Sequence, residues 1–427
     1  MRDNLQAFRQ KHRNRQPRLL EVKIGDTVLA NFRSYPDPIN PDFGRPPFRP
    51  GLNLIGWFRG DLGLGESVRA AARAADAADI DLACIDLKFN CLSPQTDTAF
   101  ADRLREDNPF AVNCFHFNPP EARDIDHHYG PHFRGDRYNI AYWAWELPEF
   151  PDGWVSNCRF FQEIWCPSRF VADAISRKAP LPVVVMPHSI RPRRVPGDWR
   201  SHFGLPRDKV LFLFIFDMNS YRERKNPEGV AEAFRRAFPE KDPPAHLVIK
   251  THNATRNPDD ARRFRAALDG IPPEALHVID ATLPRNELTG LQSACDAFVS
   301  LHRSEGFGLN IAECMALGKP VVATDWSAPA EYVNVTNGFP VPAVETILNR
   351  DHGPYSQGQV WADPDLAAAA GHMRCIVKEP GLATERGRAA AAAIRQHFSP
   401  EAVGRLYRHR LRWIHIHQGW EDRHARG

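Results

Sequence analysis

Short apolar runs alternate with amphipathic, helix-like stretches along most of the chain. Runs of this kind are typical of buried parallel strands, and the stretches between them are typical of the crossover helices of βαβ units. In the first half of the chain, the runs predicted to be strands are residues 52–58, 81–87, 111–117, 138–146 and 182–188.

The alternation starts again after a stretch rich in Pro and Arg at residues 191–208. Asn226 precedes Pro227, a pair that favours the N-cap and first turn of a helix, so we expect a helix over 226–238. The second series of predicted strands comprises residues 209–217, 245–251, 276–280, 297–302 and 320–325. The pattern therefore predicts an α/β fold with two doubly wound, parallel-sheet domains.

The same pattern sets the expected domain boundaries. Residues 1–50 are basic and rich in Pro, and we interpret them as an accessory segment. We expect an N-terminal Rossmann-like domain over 51–195 and a C-terminal Rossmann-like domain over 196–398, with a linker near 190–205. Residues 399–427 are predicted to form a helix that packs back on the N-terminal domain.

Length and composition agree with a two-domain globular protein. The chain has 427 residues, of which 43% are hydrophobic, and its net charge of +3 argues against a nucleic-acid partner. No apolar stretch is long enough to span a membrane, and the N-terminus lacks a signal peptide, so we expect a cytoplasmic protein. The basic start "MRDNLQAFRQKHRNRQPRLL" is interpreted as a solvated arm. The alternative is a peripheral contact with anionic lipid at the inner face of the membrane, or with a partner protein.

Neither cysteines nor histidines form a recognisable metal site. The eight cysteines include no C-x-x-C pair, which indicates a reducing compartment without a disulfide framework or structural zinc. His127 and His128 lie near Asp124 and Asp126, but this spacing is poor for a tetrahedral metal site, and we expect a polar loop.

The segment "SLHRSEGFGLNIAECMALGKPVVATD" carries the most informative pattern. Glu305 and Glu313 lie eight positions apart, with Gly306 and Gly308 between them at the start of a predicted helix. The glycines let the backbone approach a ligand, and the free N–H groups of a helix N-terminus favour an anion. Carboxylates accept hydrogen bonds from sugar hydroxyls. We therefore expect a nucleotide sugar at the carboxyl ends of the strands, with its diphosphate at the helix start. The alternative is a tight turn without a ligand.

Two further segments offer groups for phosphate. "FDMNSYRERKNP" places Arg222, Arg224 and Lys225 after a strand, where a lysine binds a diphosphate as a point charge. "GDLGLGE" follows the first strand of the N-terminal domain, and Gly63 and Gly65 would let backbone N–H groups hold phosphate. The third glycine of the dinucleotide-binding fingerprint is missing, which disfavours NAD. A solvated basic loop is the alternative for the first segment.

These segments together resemble family 4 glycosyltransferases, which are retaining enzymes of GT-B fold with an E-x7-E motif. The resemblance rests on "SEGFGLNIAECMALGKPVVATD", "FDMNSYRERKNPEGVAEAF", "VIDATLPRNELTGLQSACDAFVSLH", "EIWCPSRFVADAI" and "GWFRGDLGLGESVRAA", which follow the family's order. It spans roughly residues 52–400 and is more specific in the second domain. It implies two Rossmann-like domains that face each other across a cleft. The N-terminal domain would take the acceptor, and the C-terminal domain would take the nucleotide-sugar donor.

The resemblance also implies roles for single residues. Lys225 matches the lysine that binds the donor diphosphate in the family, but the family's arginine would fall at Asn219, which departs from the pattern. Arg222 or Arg224 would compensate, or the backbone would hold the phosphate. Leu283 would line the base pocket through backbone contacts.

One assignment stays open between two residues. Related enzymes often have a histidine at the end of the strand that corresponds to 111–117, where it contacts the donor sugar, and either His116 or Asn118 occupies that place. The catalytic residues implied are Glu305, His116 and Lys225. The donor-binding residues implied are Gly63, Gly65, Asn118, Asn219, Arg224, Lys225, Leu283, Glu305, Gly306, Phe307, Gly308, Leu309 and Glu313.

The expected function is that of a retaining, metal-independent glycosyltransferase of the hexosyltransferase class. It would move a sugar from a nucleotide-diphospho sugar to a hydroxyl of a glycan or lipid-linked glycan acceptor, in surface polysaccharide biosynthesis. No cofactor is expected, and a UDP- or GDP-sugar is the expected donor substrate. The alternatives are a nucleotide-sugar epimerase of the same fold and a non-catalytic scaffold that binds nucleotide sugar.

Overall fold

The computed structural model describes residues 48–91 and 93–420, together with the backbone of two strands nearer the N-terminus. These two strands form an antiparallel hairpin of β1 (Arg18–Ile24) and β2 (Thr27–Ser34). The basic stretch at the start of the chain and most of the Pro-rich linker lie outside the described residues, as do residues 421–427 at the C-terminal end.

The N-terminal domain is built on a seven-stranded parallel sheet with the order β5-β4-β3-β6-β7-β8-β9. Its strands are β3 (Arg49–Gly56), β4 (Leu82–Asp86), β5 (Leu104–Arg105), β6 (Phe110–His116), β7 (Tyr138–Tyr142), β8 (Glu163–Cys166) and β9 (Val183–Val185). Its helices are α1 (Gly63–Ala77), α2 (Ile125–Tyr129), α3 (Asp152–Val155) and α4 (Arg169–Ser176). Because β3, β6 and β7 are buried along most or all of their length, both faces of the sheet are covered.

The C-terminal domain repeats this plan with a six-stranded parallel sheet of order β12-β11-β10-β13-β14-β15. Its strands are β10 (Val210–Ile215), β11 (Ala245–Thr251), β12 (Leu276–Asp280), β13 (Ala297–Ser300), β14 (Val321–Thr324) and β15 (Phe339–Val341). Its helices are α5 (Trp199–His202), α6 (Arg222–Lys225), α7 (Pro227–Ala237), α8 (Pro258–Ala267), α9 (Arg285–Ala294) and α10 (Leu309–Ala316). The α/β class with two parallel-sheet domains is confirmed.

The expected helix start at Asn226 is also confirmed. The side chain of Asn226 accepts a hydrogen bond from the Gly229 amide at 3.1 Å, and Pro227 is the first residue of α7. The expected strand over 138–146 is too long, because β7 ends at Tyr142. Beyond it the chain leaves the sheet and crosses towards the other domain.

An arm from the C-terminal domain enters the core of the N-terminal domain, a feature that the hydrophobic pattern does not predict. It consists of the antiparallel strands β16 (Ala343–Ile347) and β17 (Val360–Pro364) and the loop between them. Leu348, Tyr355 and Trp361 belong to the same buried cluster as Trp145 and Phe150 of the N-terminal domain. The arm therefore fastens the two domains together.

Three helices follow β17 in the part of the chain that the structure describes, and the last of them returns to the N-terminal domain. These helices are α11 (Leu366–Lys378), α12 (Pro380–Phe398) and α13 (Pro400–His417). Tyr407 and Ile414 of α13 lie in the buried cluster that also contains residues of β3 and α1. A side chain at Gly404 would collide with the carbonyl oxygen of Ala74, so α13 packs closely on α1. Within 48–91 and 93–420, no helix has the length and apolar character required to cross a bilayer.

Ile414→Ala should destabilise the N-terminal domain, whereas Ile416→Ala should not. Ile414 is fully buried, and Ile416 of the same helix is 51% exposed. Truncating a buried isoleucine typically costs about 2–5 kcal/mol, and surface changes stay within about 0.5 kcal/mol. Urea unfolding followed by tryptophan fluorescence measures both variants. Equal stability of the two would contradict the packing of α13 described above.

Candidate functional site

Segments that follow strands of both sheets meet at the loop after β13. Gly306 in this loop meets the other domain directly. A side-chain carbon at Gly306 would lie 2.6 Å from the carbonyl oxygen of Trp145. The carbonyl oxygen of Gly306 accepts a 2.7 Å hydrogen bond from the Ser168 hydroxyl. Gly308 then adopts φ +85° as the residue before α10, a conformation that favours glycine. Both expected glycines are therefore required by the backbone.

Glu305 is buried in the same loop and bound by two cations. One carboxylate oxygen pairs with Lys225, and the other lies 3.2 Å from Nη1 of Arg224. The amide of Glu305 donates to the Ser327 hydroxyl at 2.9 Å, which fixes the backbone. Burial alone raises the pKa of Glu305, but Lys225 and Arg224 outweigh it and hold the pKa at about 2. The carboxylate is therefore ionised at neutral pH.

The two arginines expected to compensate for Asn219 lie in different surroundings. Arg224 is 4% exposed, and its Nη1 donates to the Ser304 carbonyl at 2.9 Å. Arg222 forms ion pairs with Asp260 and Glu228 instead of with Glu305. Of the two, only Arg224 lies beside Glu305.

Asn219 itself does not contact Glu305, Lys225 or Arg224. It is exposed, and its side-chain oxygen accepts a hydrogen bond from Asn257 at 2.8 Å. The position of the missing arginine is thus part of a surface amide pair rather than of the charged centre.

Glu313 lies on α10 with its side chain only 4% exposed, and both of its oxygens are engaged. Oε1 pairs with Arg285, and Oε2 accepts a 2.8 Å hydrogen bond from Gln292. Arg285 also lies 3.9 Å from Oε1 of Glu66 in the N-terminal domain. Both glutamates of the E-x7-E spacing are therefore ion-paired.

The glycine loop of the N-terminal domain lies opposite, at the start of α1. Arg69 of this helix donates to the carbonyls of Phe58 at 2.8 Å and Gly60 at 3.1 Å, which holds the loop in shape. Gly65 is buried against the Gly60 carbonyl, whereas Gly63 is exposed with open space around it. Of Gly63 and Gly65, only Gly65 sits where packing leaves no room for a side chain.

His116 does not reach the cleft. It is fully buried, its Nδ1 lies 2.9 Å from the Ser67 hydroxyl, and its ring stacks on Tyr142 with centroids 4.2 Å apart. Burial holds the pKa of His116 well below its usual value, so the ring is neutral. His116 therefore has a packing role in the described structure, and its contact with a donor sugar stays a prediction. Asn118 is half-buried and begins a short 3-10 turn.

The remaining expected residues differ in exposure. Phe307 is 5% exposed and packs against Tyr332 and Phe398, so its side chain belongs to the core. Leu283 and Leu309 are half-buried, Leu283 two residues before α9 and Leu309 as the first residue of α10.

A second acid, Glu146, contacts the loop that carries Glu305, and the sequence pattern does not predict that contact. The Tyr355 hydroxyl, carried by the arm, donates to Oε2 of Glu146 at 2.9 Å, and the Ser304 hydroxyl donates to the Glu146 carbonyl. The guanidinium of Arg224 lies 5.8 Å from the Tyr355 ring centre. No local pattern announces the contact of Glu146 with Tyr355, because it joins residues more than 200 positions apart.

Metal-ligating side chains are not clustered in the part of the chain that the structure describes. No group of three or more His, Cys, Asp or Glu residues there is placed to hold a metal ion. The eight cysteines all fall within it and are free, and six of them are buried among apolar residues.

Comparison with known proteins agrees with this architecture. The family described as glycosyl transferases group 1 matches residues 198–345, the range that contains Lys225, Glu305 and Glu313. The solved structures with similar folds include sucrose-phosphate synthase from Thermosynechococcus elongatus, with a TM-score of 0.62, 14% identity, and coverage of 86% of this chain and 100% of the other. The chain has the GT-B fold. No curated protein sequence matches it.

Two other GT-B structures give the same picture. HepE (Alr3699) of Anabaena, solved with UDP and glucose, has a TM-score of 0.61 and 13% identity, covering 85% of this chain and 100% of the other. A glycosyltransferase from Rickettsia africae has a TM-score of 0.59 and 13% identity, covering 86% and 99%. At this identity the likeness concerns the GT-B fold, and the group 1 match is confined to residues 198–345.

Gly65→Ala should destabilise the protein, whereas Gly63→Ala should be close to neutral. A methyl group at Gly65 would press on backbone carbonyls of the loop, and a methyl group at Gly63 meets no atom within 4 Å. Overpacking of this kind typically costs about 1–3 kcal/mol. Thermal unfolding midpoints of the two variants measure the difference. A Gly65→Ala protein as stable as Gly63→Ala would contradict the loop geometry.

Proposed function

We propose that this protein is a retaining glycosyltransferase of family 4 type that uses a nucleotide-diphospho sugar. The observation that carries the proposal is the ionised Glu305, bound by Lys225 and Arg224, beside the open N-terminus of α10 in the cleft of a GT-B fold. The group 1 match over this region and the UDP and glucose named for HepE support it.

The diphosphate fits best at the start of α10. Gly308 provides no side-chain cap there, so the first N–H groups of the helix are available to an anion. Lys225 carries three N–H donors, of which Glu305 needs only one, and the others are available to phosphate oxygens. Nε of Arg224 is buried without a hydrogen-bond partner among the described residues. An oxygen of the nucleotide-sugar substrate would accept its hydrogen bond.

The donor sugar would lie against Glu305, and the ribose against Glu313. Catalysis would rest on positioning and on offsetting the charge that develops on the departing diphosphate. Lys225 and the α10 N–H groups would supply that positive potential without a metal. The departing phosphate oxygen would take the proton of the acceptor hydroxyl, which belongs to a glycan or lipid-linked glycan.

A thermal-shift series should identify the donor base. We expect one nucleoside diphosphate among UDP, GDP, ADP and dTDP, or its sugar, to stabilise the protein, with the same shift in EDTA. A ligand at 100 times its Kd adds about 2.7 kcal/mol of stability. A stabilisation that disappears in EDTA would contradict the metal-independent part of the proposal, and no shift with any of these ligands would overturn the donor site.

Glu305→Gln and Glu313→Gln should fail in different ways. Glu305→Gln should lower turnover by roughly 100-fold, with a smaller effect on binding of the bare nucleoside diphosphate, because the lost charge faces the sugar. Glu313→Gln should weaken nucleotide binding itself, because it removes the acceptor for ribose hydroxyls. Calorimetry and steady-state kinetics separate the two effects, with the exposed Glu274→Gln as the matched control. Equal losses in binding and turnover for Glu305→Gln would contradict its sugar-facing role.

A further inference from the structure

Arg285 stands between two acids that belong to different domains. It is the first residue of α9, and its Nη2 pairs with Oε1 of Glu313 in its own domain. The same nitrogen lies 3.9 Å from Oε1 of Glu66, in the first turn of α1 directly after the glycine loop. One guanidinium thus faces both the donor side and the glycine-loop side of the cleft.

Arg285 occupies the oxygen that a donor ribose would use. The Glu313 side chain is 4% exposed, and its other oxygen is held by Gln292. A ribose hydroxyl can therefore reach the carboxylate only where the guanidinium now lies. This step rests on the proposed function, since it takes Glu313 as the ribose acceptor.

Glu66 can accept hydrogen bonds from the guanidinium of Arg285 once that group is displaced from Glu313. It already binds Arg69 at 3.2 Å and Arg73, and its side chain is 12% exposed. A carboxylate offers about four acceptor sites, so a third cation can be accommodated. Asp97 lies 3.3 Å from Nε of Arg69 and offsets part of the positive charge.

We infer that Arg285 is a positioning residue that couples donor binding to the position of the glycine loop. The ribose hydroxyls replace Arg285 on Glu313, and Arg285 then closes the 3.9 Å gap to Glu66. The new ion pair holds the glycine loop against the donor diphosphate. Donor binding is thereby converted into a contact between the two domains.

The affinity ratio between a ribose nucleotide and its 2′,3′-dideoxy analogue tests the displacement. Calorimetry would compare UDP, GDP or ADP, whichever binds, with its dideoxy counterpart. In the wild type, the ribose nucleotide gains less affinity over its dideoxy analogue than it would at a free carboxylate, because its hydroxyls must displace Arg285. In Arg285→Met it should rise by about fivefold or more. The general attraction of a cation for phosphate cancels in this ratio.

Arg73→Met is the matched control. It removes the same charge and one partner of Glu66, but it does not touch Glu313, so its ratio should equal that of the wild type. An unchanged ratio in Arg285→Met would overturn the displacement. A ratio that falls towards one would also overturn it, because Arg285 would then bind the ribose itself.

Amide hydrogen exchange tests the coupling to the glycine loop. Nucleotide should slow exchange in residues 60–66 of the wild type, but not in Arg285→Met or Glu66→Gln, and Arg285→Lys should restore part of the protection. Equal protection in all variants would overturn the coupling. If the wild-type protein binds none of the nucleotides, the proposed function itself fails, and this inference falls with it.

Discussion

A carboxylate that is removed from water must be paired, and the cleft of this protein is arranged around that requirement at Glu305. Lys225 and Arg224 neutralise it from the segment after β10, and Ser327 fixes its backbone from the segment after β14. Segments that follow three strands, β10, β13 and β14, thus meet at one residue. Because the partners are already in place, the positive potential of the site exists before any ligand arrives, which reduces the reorganisation that a reaction would require.

The same loop also determines how the two domains meet. Gly306 brings the backbone of Trp145 into direct contact, and Glu146 is tied to the loop and to Tyr355 of the arm. The arm and α13 both cross from the C-terminal half into the core of the N-terminal domain. In many two-domain proteins the interface is polar and permits movement, but here apolar side chains of one domain complete the core of the other.

Local signals predicted most of the fold. The runs at 245–251 and 276–280 coincide with β11 and β12, because each is bounded by polar or turn residues. The Asn226 cap was predictable because it joins residues only three positions apart. The sequence could not show that Glu313 is covered by Arg285, because partners 28 positions apart are brought together only by the fold. Burial is equally hard to predict locally, since the place of His116 at a strand end did not reveal that its ring is buried against Tyr142.

The position of α13 has a consequence for biosynthesis. Tyr407 and Ile414 complete the buried cluster beneath β3 and α1, yet they follow the whole C-terminal domain in the chain. The first domain therefore emerges from the ribosome before α13, and the apolar surface that Tyr407 and Ile414 cover stays exposed until α13 has been synthesised. Domains usually fold in order during synthesis, but here the core of the N-terminal domain is complete only after the C-terminal domain has been made, and transiently exposed apolar surface of this kind is prone to aggregation.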